Sequence, residues 1–204
     1  ASPWSISAAE AGRGLSESDL PEEPARRPQL AFPPGDLWVF GYGSLMWHPG
    51  FPHIDERPAT LYGFHRAFCI WSHYHRGTPE KPGLVLGLDA GGACRGRVFR
   101  VREADRAATV QYLYDRELVS NVYLPRLHKV RPQGLAPLPA LAFFADRRHS
   151  QYASTLDPAK SAAVVLQGIG DRGPCSEYLI NTVRHLESLG IVAGPLPRVL
   201  ALVQ

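Results

Sequence analysis

Leu37-Trp38-Val39-Phe40-Gly41-Tyr42-Gly43-Ser44-Leu45 is an apolar, strand-like run that stops abruptly in a glycine-spaced turn carrying a tyrosine and a serine. A strand that ends this way exposes several backbone N–H groups in a tight loop. Such donors hold carboxylates, carbonyls or oxyanions at no cost in side-chain entropy. Taken alone, the segment is equally a tight turn with no ligand. It is not a dinucleotide loop, because G-x-G-x-x-G needs a third glycine where Met46 stands, and Trp47-His48-Pro49-Gly50 does not open a helix readily. Walker A fails for want of Gly-Lys-Ser/Thr. Ser44 is not a nucleophile elbow, since G-x-S-x-G would need glycine where Tyr42 and Met46 stand.

Downstream of this turn the pattern stays mostly strand to about Arg102. Ala59–Trp71 is β-rich, Gly83–Leu88 is a further strand, and Ala90-Gly91-Gly92 is expected to turn the chain so that Gly96–Val101 returns as a hairpin partner. The period then changes to that of a helix from Glu103 to Leu118, with Ala107, Val110, Tyr114 and Glu117 on one stripe. Strand-like runs return over residues 123–145, broken by prolines. Two helices are expected to finish the domain. One opens with Asp157 as N-cap and Pro158 at the first position, and the other has Ser176 as N-cap, buries Leu179, Val183, Leu186 and Leu189, and stops at Gly190. Strands first, then mixed strands and helices, argue an α+β fold.

Upstream lies a different composition. Residues 1–36 are rich in Ala, Ser, Glu, Pro and Gly without a sustained period, and are expected to form an irregular N-terminal extension that wraps on the surface or stays mobile, with Trp4 and Leu20 as possible anchors. Residues 37–204 form the remaining domain.

The 204 residues suffice for one sizeable core, and 45% hydrophobic with 20% charged residues is ordinary for a soluble globular chain. A formal net charge of +3 with scattered basic residues argues against nucleic acid as a partner. No apolar stretch reaches the length of a membrane span, and the N-terminus has no apolar core of the secretory type, so a cytoplasmic location is expected. Cys69, Cys94 and Cys175 are an odd, sparse set with no C-x-x-C, which fits free thiols in a reducing compartment. Cys69, inside an apolar run, reads as a buried structural thiol. His73 and His75 would share one strand face, yet no third metal ligand accompanies them, and no metal is expected.

Glu117 stands out for chemistry. A carboxylate on the apolar stripe and near the C-terminal end of a helix is disfavoured twice, by desolvation and by the negative end of the helix dipole. Its raised pKa would suit a general base that can return the proton. The bland alternative is a structural ion pair with Arg116 or Arg126.

The blocks V-F-G-Y-G-S-L-M-W-H-P-G-F (39–51), S-H-Y-H-R-G-T-P-E-K-P-G-L-V-L-G-L (72–88), Y-L-Y-D-R-E-L-V-S-N-V-Y (112–123) and G-P-C-S-E-Y-L (173–179) resemble, in order, the ChaC family of γ-glutamylcyclotransferases. The resemblance runs from about residue 37 to 190 and excludes the first 36. It implies a small mixed β-barrel with surrounding helices, and cleavage of glutathione to 5-oxoproline and cysteinylglycine without a cofactor. It also implies that Val39, Phe40, Gly41, Tyr42, Gly43, Ser44 and Leu45 hold the γ-glutamyl group and that Glu117 is the acid/base. Tyr123 and Tyr178 match tyrosines near the family's pocket, and Arg76 is a candidate for the glycine carboxylate of glutathione. Two other readings stay open: cyclisation of other γ-glutamyl amines or amino acids, and a non-catalytic γ-glutamyl-binding module.

Overall fold

In a computed structural model, residues 28–204 are described. They form a closed five-stranded barrel in the order β1-β3-β2-β4-β5, built from β1 (Leu37–Gly41), β2 (Asp55–Ser72), β3 (Gly83–Val101), β4 (Tyr123–Pro132) and β5 (Leu138–Ala145). Every pairing is antiparallel except β1 with β5, where Val39 faces Leu141 in parallel. The barrel is therefore mixed. Four helices surround it: α1 (Arg106–Glu117), α2 (Pro158–Gln167), α3 (Cys175–Ser188) and α4 (Leu196–Val203). A two-residue ribbon, β6 (Ile169–Gly170) with β7 (Gly173–Pro174), precedes α3.

Alternation along β1 explains why the strand is apolar on both faces. Phe40 joins a core with Leu61, Leu86, Val98, Ala142 and Phe144 that runs on into Val165 of α2, Leu179, Val183 and Leu186 of α3 and Val199 of α4. Val39, with Leu37, Phe99, Val101, Leu141 and Phe143, meets Leu113 and Tyr114 of α1 on the opposite face. A strand covered on both faces reads as a continuous apolar run.

Four expectations need correction. Ala90-Gly91-Gly92 does not reverse the chain. β3 is continuous over 19 residues, and Gly91 (φ 102°) and Gly92 (φ 71°) form a bulge opposite Gly63 (φ 86°), where the β2–β3 register shifts between Tyr62 and Phe64. Positive-φ glycines here bend two paired strands instead of ending one. The true hairpin joins β2 to β3 through residues 73–82, closed by the Ser72–Gly83 pair. Gly96–Val101 accordingly pairs with β1 and β2.

The helix over 103–118 is a 3₁₀ turn followed by α1, and its inward residues are Thr109, Leu113 and Tyr114 while Ala107 is exposed. α3 starts at Cys175 with Pro174 at the cap position, so Ser176 is not the cap. The Cys175 thiol replaces it as an anchor, accepting from the Leu84 N–H (3.3 Å) and donating to the Leu84 carbonyl (3.2 Å). A third helix, α4, ends the chain. Pro195 stands at its cap and Pro197 in its first turn, where proline is tolerated. The Asp157 cap on α2 is present, its carboxylate accepting from the Lys160 N–H at 2.9 Å.

Residues 28–36 are irregular and lie along α1. The Pro28 carbonyl accepts from the Tyr114 hydroxyl, the Pro33 and Gly35 carbonyls accept from Arg106, and Asp36 pairs with Arg100 at 2.7 Å. Trp4 and Leu20 lie outside the described residues. Among the described residues, no helix is long and apolar enough to cross a membrane.

Candidate active site

The turn after β1, the C-terminal end of α1, the 73–82 hairpin loop and the first turns of α3 enclose a cavity of about 340 Å³. Its floor begins with the opening segment. Gly41 is where the chain folds back: a Cβ there would lie 3.1 Å from the Leu45 Cβ and 3.3 Å from the Met46 nitrogen. This close approach starts a 3₁₀ turn over Ser44–Met46, in which the Met46 N–H donates to the Gly43 carbonyl at 2.9 Å. Among the described residues, no hydrogen bond occupies the N–H groups of Gly43, Ser44 and Leu45. The first N–H groups of a helical turn lack intrahelical acceptors, which accounts for these three.

Tyr42, Gly43, Ser44 and Leu45 line the cavity. Val39, Phe40 and Gly41 do not. The first two fill the cores on either side of β1 and the third shapes the turn.

Glu117 is the last residue of α1 and the only carboxylate among the cavity's lining residues. Its side chain is 18% exposed and its Oε1 lies 3.2 Å from the Arg116 Nε. The ion pair proposed from sequence therefore exists, with Arg116; Arg126 instead lies over the Phe144 ring. Pairing does not settle the carboxyl's character. Burial pushes the Glu117 pKa above the ordinary carboxylate value, and the opposing pull of Arg116, with a smaller one from Arg172, does not offset it.

The reason lies in how Arg116 is shared. Its guanidinium also donates to the His48 carbonyl (2.8 Å), the Tyr112 hydroxyl (2.9 Å) and the Ser44 Oγ (2.9 Å). One side chain thus ties the glycine turn to the catalytic candidate, and sequence reading considered it only as a charge partner. Residues i and i+1 of a helix do not face each other along its surface. Arg116 and Glu117 nevertheless meet in the last turn of α1.

The tyrosines are held as neutral phenols. Burial holds the Tyr42 and Tyr123 phenols protonated, and pushes Tyr178 up to about 12. All three line the cavity. The Tyr123 hydroxyl donates to the Leu86 carbonyl at 2.6 Å, and the Tyr178 hydroxyl accepts from the Leu86 N–H at 3.4 Å. Both therefore grip the backbone of one residue of β3.

Arg76 lines the cavity, but its guanidinium is engaged. It donates to the Pro174 carbonyl at 3.2 Å, lies 5.5 Å from the Tyr178 ring centroid and is 4.0 Å from Glu177. Trp47 and His185 also line the cavity and stack on each other with ring centroids 4.4 Å apart. Neither drew attention in the sequence. Nor did Arg172, whose tight-turn setting Gly170-Asp171-Arg172-Gly173 was the available signal. His73 and His75 are on the loop beside the cavity, and His75 bonds Asp171 at 3.1 Å.

The turn over Tyr42–Leu45 and the raised carboxyl of Glu117 line one cavity. A model of the family described as ChaC-like protein matches residues 37–203. The chain belongs to this family. It is 33% identical over 157 residues to the glutathione-specific gamma-glutamylcyclotransferase of Escherichia coli K12, covering 77% of this chain and 68% of that one. It is 32% identical over 180 residues to human glutathione-specific gamma-glutamylcyclotransferase 1, covering 85% and 80%. The ChaC-like fold is also seen in the crystal structure of a yeast gamma-glutamylcyclotransferase specific to glutathione. That structure superposes with a TM-score of 0.74 at 21% identity, covering 83% of this chain and 96% of the yeast chain.

Proposed function

We propose that this chain is a γ-glutamylcyclotransferase that cleaves glutathione to 5-oxoproline and cysteinylglycine, with Glu117 as acid/base. The observation that carries the reading is a single raised carboxyl, held by Arg116 against a turn of unoccupied backbone N–H donors.

The nucleophile is the substrate's own α-amine, so no serine, cysteine or metal is needed. At neutral pH that amine is an ammonium. Glu117 takes one proton from the ammonium, the freed amine attacks the γ-carbonyl, and a five-membered tetrahedral intermediate closes. The proton held by Glu117 passes to the cysteinyl nitrogen as its bond to carbon breaks, and the second proton that the lactam nitrogen sheds follows the same route, so cysteinylglycine leaves as an ammonium and no water is consumed. A carboxyl above its usual pKa is a stronger base and is closer to the pKa at which one group serves both steps. The N–H groups of Gly43, Ser44 and Leu45 suit the α-carboxylate or the developing oxyanion, and the neutral Tyr42, Tyr123 and Tyr178 hydroxyls line the space between. Holding a flexible γ-glutamyl chain in its cyclised shape supplies much of the remaining rate.

The three buried free thiols support a reducing, cytoplasmic setting, where glutathione itself is abundant as the thiol.

The test is to incubate the protein separately with glutathione and with γ-glutamylalanine and to follow 5-oxoproline by mass spectrometry. Product from glutathione, with little from γ-glutamylalanine, is expected. Absence of product from both would sink the enzymatic reading, and product from γ-glutamylalanine alone would sink the assignment of glutathione.

A further inference from the structure

We infer that Arg172, at the tip of the β6–β7 ribbon, is the receptor for the leaving group's terminal carboxylate and so sets leaving-group specificity; this rests on the reaction proposed above.

The assignment follows from charge accounting around the cavity. Glutathione brings two carboxylates to a pocket whose lining includes one carboxyl, Glu117, and three arginines. Arg116 is committed to Glu117, Ser44, Tyr112 and the His48 carbonyl. Arg76 is committed to the Pro174 carbonyl, the Tyr178 face and Glu177. The acids flanking the ribbon have partners too: Asp171 bonds His75, and Glu177 lies beside Arg76. Among the described residues, Arg172 has no ion pair within 4.0 Å, is exposed, and lines the cavity mouth. Its charge is felt at Glu117.

Its backbone is fixed although its side chain is free. The Arg172 N–H donates to the His75 carbonyl at 3.1 Å and the Asp171 N–H to the Tyr74 carbonyl at 2.9 Å. Close backbone packing seals the contact. A Cβ on Gly170 would meet the Tyr74 carbonyl oxygen at 2.1 Å, one on Gly168 the Arg76 oxygen at 2.5 Å, and one on Gly77 the Gly83 nitrogen at 2.2 Å. A guanidinium on such a base presents a planar fork suited to a carboxylate.

The glycine carboxylate lies two residues beyond the scissile bond, about 7 Å along an extended chain, and Arg172 lines the same cavity as Glu117. Arg76, the candidate from the sequence, becomes a brace for the mouth instead of a ligand.

The experiment compares kcat/KM for glutathione and for its C-terminal glycinamide, by 5-oxoproline formation, in the wild type and in Arg172→Gln and Arg172→Lys. An exposed charge-assisted pair predicts a wild-type preference for the free acid of about tenfold. Arg172→Gln is expected to bring that preference near unity, Arg172→Lys to keep part of it, and added salt to erode it in the wild type. An unchanged acid-over-amide preference in Arg172→Gln overturns the inference while leaving the cyclotransferase reading intact. A wild type that turns over acid and amide equally well overturns it in the same way. No product from either compound in the wild type removes the reaction itself, and the inference with it.

Discussion

Asp89 and Glu117 are carboxylates that each sit beside an arginine, and they behave in opposite ways. Asp89, on β3, is 2% exposed; it accepts from the Arg147 Nε at 2.6 Å, the Tyr152 hydroxyl at 2.9 Å and the Ala90 N–H at 2.9 Å. Burial pushes its pKa up, but those three donors together outweigh it and hold the carboxyl below the ordinary range. Glu117 has burial of the same sign and one donor, an arginine already divided among other oxygen acceptors, and its pKa stays raised. An adjacent arginine does not make a carboxylate structural. The number of donors aimed at it, and how far each is shared, decides whether it fastens the chain or stays ready to exchange a proton.

The contrast is broken most severely at Glu117. Glu117→Gln keeps the shape but cannot accept the proton, so kcat for 5-oxoproline release should fall by about a thousandfold, the middle to upper part of what acid–base catalysis supplies. Glutathione binding, measured calorimetrically, should persist. Near-wild-type turnover would show that another group is the base.

Next comes the tether. Arg116→Lys retains the charge but cannot reach Ser44, Tyr112 and His48 together, and a displaced turn should lower kcat by about ten- to a hundredfold. A change confined to KM would mean that the fork serves binding alone.

At the other carboxylate, Asp89→Asn should leave kcat within about twofold but weaken the fold by about 1–3 kcal/mol, read as a lower melting temperature, because Arg147 and Tyr152 lose their ionised acceptor. Full stability would argue that this cluster is decoration.

The smallest effect is a difference in sign. A depressed folded pKa means that Asp89 contributes stability above the ordinary carboxylate range, and that this is lost as pH falls through the folded value. A raised folded pKa means the reverse for Glu117: ionising it costs stability as pH rises from about 4.5 through the folded value. Glu117→Gln should thus melt higher than wild type at neutral pH, with the gap closing below pH 4.5. Asp89→Asn should melt lower, with its gap also closing in acid. The acid limb of the rate profile should lie above the usual glutamate range, and should move higher in Arg172→Gln, which removes a charge that lowers the Glu117 pKa. Thermal scans and rate profiles across pH check both statements.

How much of this was legible in the sequence varied with the range of the interaction. Local chemistry was readable: the glycine turn after β1, the Asp157-Pro158 helix start, and a carboxylate at the end of α1. The mixed barrel entered through the resemblance of four blocks, not through periodicity. What failed depended on partners distant in sequence. The glycines at 91 and 92 read as a turn because the continuous partner strand around Gly63 is invisible locally. Helix α4 was hidden by Pro195 and Pro197, which mark breaks unless a helix begins there. Arg172 drew no attention because the ribbon that presents it is anchored to the 73–82 loop, far earlier in the chain.

That ribbon has a consequence for how such a pocket can change over generations. It is fastened to the 73–82 loop through N–H and carbonyl groups, through missing Cβ atoms and through the Asp171–His75 bond, and the Arg172 side chain carries none of the fastening. The residue at position 172 is therefore free to vary without disturbing the scaffold. On the role proposed above for Arg172, a single codon there would retune which γ-glutamyl compound is accepted, and would shift the Glu117 pKa through the lost charge while leaving the carboxyl in place.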